Sequence, residues 1–273
     1  MKQATLIRNL KLFNAKERDH LMRAAYLGVG KPYGDETKFL SEDFDKKLKL
    51  HAIEMGLDDT AHCVFAGMDY HLDWLFAALW ITANVPNWDG KSVNGISAQL
   101  ESHKTVDRIK NLHSDFRPVT GTQEDIDLLV VYADVEKLVM LFIEAKGSAD
   151  FDQVQLARKL IRLDRIISHN EICFPAEPGD LKKPYRLILA APNKPKFECC
   201  LSYARKLPEQ FGYMHTALIE HKSKLGEGMH FMQLTEFPKT LYAVKRTPKK
   251  SPTNKADYTH WILEERKPKK DAT

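Results

Sequence analysis

Residues 126–148, IDLLVVYADVEKLVMLFIEAKGS, constrain the fold of this chain more than any other stretch. Two apolar runs of strand length flank a short polar turn around ADVEK, so the chain should form a hairpin and bury both of its arms. Charge stands at one end of that hairpin. Strand alternation sends Glu144 and Lys146 to one side, with Ile143 and Ala145 directed the other way into the packed face. Asp127 precedes Glu144 by 17 residues, on the first arm, which sets it opposite the Glu144–Lys146 end. Two carboxylates converging there would repel unless a cation lay between them. Oxygen ligands with open positions suit Mg²⁺, with Mn²⁺ the expected substitute. Lys146 beside such an ion could orient or deprotonate a water and offset phosphate charge, so the expected chemistry is phosphodiester hydrolysis.

The tripeptide Glu-x-Lys alone carries little weight. At ordinary Glu and Lys frequencies it arises about once by chance in a chain of this length. It recurs as Glu220-His221-Lys222 and Glu265-Arg266-Lys267. What separates residues 144–146 is context: an acid on the upstream partner strand and a helix immediately after. The bland alternative is an exposed strand-end salt bridge between Glu144 and Lys146.

Around the hairpin the pattern alternates between helix and strand. The first sixty residues read as helical. Asn14, with Glu17 three residues on, opens a helix that ends near Gly28, and SEDFDKKLKLHAIEMG forms another, stopped by Gly56. MDYHLDWLFAALWITA, residues 68–83, reads as a third, strongly apolar helix. Residues 86–123 are more polar, with a helical piece around ISAQLESHKTVDRIKNLH. After the hairpin come a helix, FDQVQLARKLIRLDRIISH, and a buried strand, YRLILAAP, bounded by prolines. KFECCLSYARKL reads as helix, MHTALIEHK as strand, and TLYAVKRT with THWILEERK as a terminal hairpin. Helix, strand, strand, helix, strand from residue 69 to 191 defines an α/β core. The expected division is an N-terminal helical region at 1–64, the core at 65–195, and a C-terminal α/β extension with a basic tail at 196–273.

Composition excludes several classes. The four cysteines, Cys63, Cys173, Cys199 and Cys200, lack CxxC spacing, which argues against a zinc ribbon or a disulfide framework and for small buried thiols. The first twenty residues hold no signal-peptide core, and no apolar run reaches membrane-spanning length, so the expected location is cytoplasmic. Eleven histidines show no HExxH spacing, no P-loop or GxSxG elbow is present, and Gly28 and Gly30 follow no strand. The net charge of +4 is uneven: Lys239–Thr273 carries ten Lys or Arg against four Asp or Glu. That segment is either a polyanion contact or a solvated tail.

The stretch EDIDLLVVY…LFIEAKG, with flanking elements from about 65 to 195, resembles the PD-(D/E)XK nuclease superfamily, the restriction-endonuclease-like fold. Its core is a helix, a hairpin bearing the motif, a helix and a further strand. The resemblance implies a central mixed β-sheet flanked by helices and a Mg²⁺-dependent nuclease, with DNA as the expected substrate by analogy. It allows a homodimer or a larger complex, and it leaves open a nucleic-acid-binding subunit of a defence, repair or transposition complex. By position it makes Asp127 the metal-binding aspartate, Glu144 the second acid and Lys146 the motif lysine. The Pro-Asp dipeptide is absent, since Ile126 precedes Asp127, and Asp125 competes for the first role. Relatives often add an acid from the preceding helix. Asp69 and Asp73, four residues apart on the expected helix, are the candidates for that place, Asp73 first and Glu101 a weaker rival. Gln155, on the helix after the motif, matches a glutamine that some relatives keep near the metal. With Lys159 and Arg162, and Arg158 alongside, it forms a polar stripe that is either a phosphate contact or a solvated face.

Overall fold

The computed structural model describes residues 2–27, 39–85, 87–91, 124–146, 151, 155, 156, 159, 162, 163, 166, 167, 184–192, 229–234, 241–247 and 260–266. Three helices come first: α1 (Lys2–Phe13), α2 (Glu17–Leu27) and α3 (Glu42–Glu54). Asn14 does not form a capping box with Glu17. Its Oδ1 accepts the Lys16 N–H at 3.4 Å, and its Nδ2 donates to Asp19 at 2.7 Å, closing the turn into α2. α3 is capped by the Ser41 hydroxyl, which accepts the Phe44 N–H, and just beyond its end Gly56 adopts φ 100°, a left-handed conformation that glycine tolerates best.

Next comes a strand that the sequence pattern hides, β1 (His62–His71), and α4 (Leu72–Asn84) follows it without a loop. Residues 68–71 therefore belong to a strand, and the helix expected from Met68 begins four residues later. The cause is legible afterwards. The Ala66-Gly67 pair breaks strand periodicity, yet Gly67 fits because the Phe65 ring lies where its side chain would be, 2.9 Å from a Cβ placed there. Asp69 takes φ 49°, turning the chain near the strand end, and the His71 ring accepts the Asp73 N–H as the cap of α4.

The hairpin follows as β2 (Asp125–Ala133) and β3 (Leu138–Ala145), then β4 (Tyr185–Ala191), β5 (Met229–Gln233), and a separate antiparallel pair of β6 (Leu241–Thr247) and β7 (His260–Arg266). The hairpin turn is organised by Asp134, whose carboxylate accepts the N–H groups of Glu136 and Lys137. In the main sheet the order is β1-β2-β3-β4-β5, with β2 antiparallel to both neighbours and β3, β4 and β5 mutually parallel. Between 155 and 167 the described positions are helical. The expected strand at 185–191 and the terminal hairpin are present. β5 was not anticipated, and it draws the sheet into the segment read as a C-terminal extension. The helical piece near 97–114, KFECCLSYARKL and MHTALIEHK lie outside the described residues.

Both faces of the sheet are covered, so this is a mixed five-stranded sheet flanked by helices. On one face, Leu129, Val131, Met140, Phe142 and Leu187 cluster with Leu6 and Leu10 of α1, Leu75 and Leu79 of α4, and Leu156, Leu163 and Ile166. On the other, Val130, Tyr132, Leu141 and Ile188 cluster with Leu48 and Ala52 of α3. The near-continuous burial of β3 and β4 reflects this two-sided cover. A buried ionic knot ties the N-terminal helices to β1: Asp19 accepts from Arg23, Asn14 and the Met68 N–H, while Arg23 also donates to the Ala66 carbonyl. Among the described residues, no helix is long and apolar enough to cross a membrane.

Candidate active site

The hairpin register pairs Leu128 with Ile143, so Asp127 and Glu144 are the next residues outward on their strands. They lie where β1, β3, β4 and β5 end and β2 begins. Asp127 Oδ2 accepts the Ala145 N–H at 2.7 Å, which ties the acid to the backbone of the facing strand. It also stands at the rim of a cavity of about 640 Å³ on the α3 face. The cavity lining is apolar, chiefly Met22, Phe39, Phe44, Met68, Leu128 and Ile143, and among the described residues Asp127 is its one ionisable member.

Glu144, next outward from Ile143 on the facing strand, is enclosed. Only 2% of it is exposed, and its Oε1 accepts from Lys159 Nζ, the lysine being equally enclosed. Lys159 Nζ also donates to the Asp125 carbonyl at 2.6 Å. Burial pushes the Glu144 carboxyl above the usual carboxylate range. The Lys159 charge and hydrogen bond oppose that push, the Asp127 charge adds to it, and Lys146 offsets it slightly. Asp127, Glu144 and Lys146 therefore share one electrostatic neighbourhood. Glu144 is not in an exposed salt bridge with Lys146. Lys146 is half-buried, its N–H bonded to the Ala190 carbonyl, and its ammonium has no ion-pair partner among the described residues. Ala145, expected in the packed face, is exposed.

Asp125, the competing acid, accepts from Lys16 at 2.5 Å through Oδ2, while its Oδ1 is buried without a hydrogen-bond partner. Asp73 is committed elsewhere. Arg162 holds it, and the same guanidinium holds Glu124 at 2.9 Å. Asp69 is not its helix neighbour: it lies in β1, paired with Arg18 at 3.0 Å. Nor does Asp69 cap α4, since His71 does. Asp127, Glu144 and Asp73 do not make a three-ligand group. Among the described residues, the group of three with ligand atoms within 4.8 Å is His51, Glu54 and His230.

Gln155 is exposed at the start of the helical stretch, and Glu101 and Arg158 lie outside the described residues. In the stripe that contains Gln155, Lys159 and Arg162 are not a solvated face: they are 3% and 2% exposed and ion-paired inward. The missed signal was position. On a helix packed against a sheet end that carries several acids, a long cation on the apolar side can reach inward to neutralise them.

Asp127 and Glu144 are oxygen donors, which suit a hard divalent ion, and the buried Asp125 Oδ1 without a hydrogen-bond partner lies on the same strand as Asp127, although the three acids do not form a group within 4.8 Å. The chain matches no family model, no curated protein and no solved structure.

Proposed function

We propose that this chain is a metal-dependent nuclease with a restriction-endonuclease-like core, hydrolysing phosphodiester bonds, with DNA the substrate class taken from the PD-(D/E)XK resemblance. The observation that carries the reading is the meeting of Asp127, Glu144 and Lys146 at one end of the β2–β3 hairpin. The helical positions described between 155 and 167 and the parallel strand β4 after that hairpin agree with the superfamily order. The site lies at the carboxyl ends of the parallel strands, where open α/β sheets gather ligands.

Asp127 and Glu144 would hold Mg²⁺. When bound, the ion would supply charge neutralisation at phosphate and a more acidic water. Lys146, whose charge acts on Glu144 and whose ammonium has no ion-pair partner among the described residues, would orient that water or take its proton. Lys159 has a separate task, keeping the buried Glu144 ionised and aimed. Plasmid cleavage with Mg²⁺ or Mn²⁺ tests the proposal. Wild type should nick, Lys146→Ala should not, and Lys146→Arg should bind DNA in Ca²⁺ yet lose roughly a hundredfold or more in single-turnover rate. Equal cleavage by wild type and Lys146→Ala would refute it. A second reading has its own support: with Glu144 already neutralised by Lys159, the fold could serve as a nucleic-acid-binding subunit of a larger complex. DNA binding with no metal-dependent nicking by the purified chain would favour that reading.

A further inference from the structure

At the opposite end of the sheet, near the amino ends of β4 and β5, a second group of ligating side chains faces one point. His51 and Glu54 stand three residues apart on the last turn of α3, which puts them on one helix face, and His51 Nδ1 lies 3.6 Å from Glu54 Oε2. His230 comes from β5, its ring centroid 5.6 Å from that of His51. The ligating atoms of all three lie within 4.8 Å of one another. Arg186 of β4 reaches into this group. Its Nη1 donates to His51 Nδ1 at 3.0 Å and to the Glu54 carboxylate.

A guanidinium can only donate, so toward Arg186 it is the Nδ1 lone pair of His51 that accepts. The Arg186 hydrogen bond holds Glu54 below the usual carboxylate range. An imidazole nitrogen and a carboxylate thus already meet a cation, the Arg186 guanidinium, and a second imidazole stands beside them.

We propose that His51, Glu54 and His230 form a site for a divalent transition ion, Zn²⁺ by its donor set, in which the Arg186 guanidinium stands in for the metal. Two nitrogens and one carboxylate oxygen are the ligand types of zinc and not of magnesium. Ligands about 2.0–2.1 Å from a tetrahedral ion lie about 3.3 Å apart, so the present spacing closes with small side-chain rotations. The fourth position opens to water, since the Glu54 side chain is 58% exposed. On this reading the ion displaces Arg186 toward solvent and cross-links α3 to β5, the edge strand of the sheet. The site is independent of the acid end and of any nuclease activity.

The test is Zn²⁺ titration of the full chain, stripped with chelator, by calorimetry and thermal unfolding at near-neutral pH. Wild type and an Asp127→Asn/Glu144→Gln variant should each bind one Zn²⁺ here and melt higher with it. His51→Gln and His230→Gln should lose roughly 100-fold or more in affinity, above the loss expected for a group that merely supports a ligand. Glu54 is exposed, so Glu54→Gln should fold normally and lose about tenfold or more. Arg186→Gln should bind more tightly, because the internal cation no longer competes. Affinity unchanged in His51→Gln or Glu54→Gln would overturn the site. So would binding that vanishes in the acid-end variant and persists in His230→Gln. Weaker binding by Arg186→Gln would overturn the stand-in role.

Discussion

Replacing Lys159 by Met removes the partner of a carboxylate that is 2% exposed. Met matches the lysine stem in length, so apolar packing against the sheet is largely kept and the loss is electrostatic. Breaking a buried pair from one side costs about 3–5 kcal/mol, because the remaining charge has neither water nor partner. The Asp125 carbonyl loses its 2.6 Å donor as well, which puts the expected loss toward the upper part of that range. At roughly 2–4 °C per kcal/mol for a domain of this size, the melting temperature should fall by about 6–20 °C. The pH dependence has a definite sign. The Glu144 pKa is raised in the folded state, so the fold binds more protons than the unfolded chain between the ordinary carboxylate value and the raised one. Stability therefore falls as pH rises through that window, and without Lys159 the window widens upward. Thermal unfolding in EDTA across pH should show the Lys159→Met deficit shrinking as Glu144 protonates. Adding Glu144→Leu should recover most of the loss, since an apolar pair in place of a buried ion pair is close to neutral. A Lys159→Met variant that melts like wild type at neutral pH, or a double variant as unstable as the single one, would refute the reasoning.

Three further outcomes are expected. Asp19→Ala leaves Arg23 buried without its carboxylate and the Met68 N–H without an acceptor, so denaturant unfolding should show a loss of about 3–5 kcal/mol. Because the His51 pKa is lowered in the fold, stability should decline as pH falls below its ordinary value of 6.5, and His51→Gln should flatten that slope in metal-free buffer. Removing residues 267–273 deletes three basic side chains and one acidic one. If they contact phosphates, the slope of log affinity against log salt should drop by roughly one unit per lost contact.

The hairpin could be read from sequence because each level of its signal agreed: apolar arms, a polar turn, and Asp134 placed to accept the turn N–H groups. The strand at 185–191 and the β6–β7 pair were legible for the same reason. β1 was not, because Gly67 and the left-handed Asp69 interrupt its pattern and α4 follows without a loop. That one missing strand misplaced Asp69, which set it beside Asp73 on a helix they do not share. The sheet end brought Asp127 and Glu144 to neighbouring register positions, as hairpin arithmetic alone required. Which lysine neutralises Glu144 could not be read from spacing, since Lys159 and Lys146 are both within plausible reach. The choice depends on how the segment around Lys159 packs against the sheet, which is a tertiary fact.

The charged end of the hairpin is also the end farthest from its turn, and this bears on how the chain folds. Arms joined by residues 134–137 can zip at once, starting from the turn. β1 meets β2 only by closing a separation of about 60 residues, from Met68 to Leu128, and β4 must return across a crossover to reach β3. Asp125, Asp127 and Glu144 therefore come together only as the last rungs form, when their mutual repulsion is felt and Lys16 and Lys159 have yet to arrive. Counterions that relieve this crowding act on the climb to the native state as well as on its depth, so the rate of refolding should carry the imprint of the site before any substrate is present.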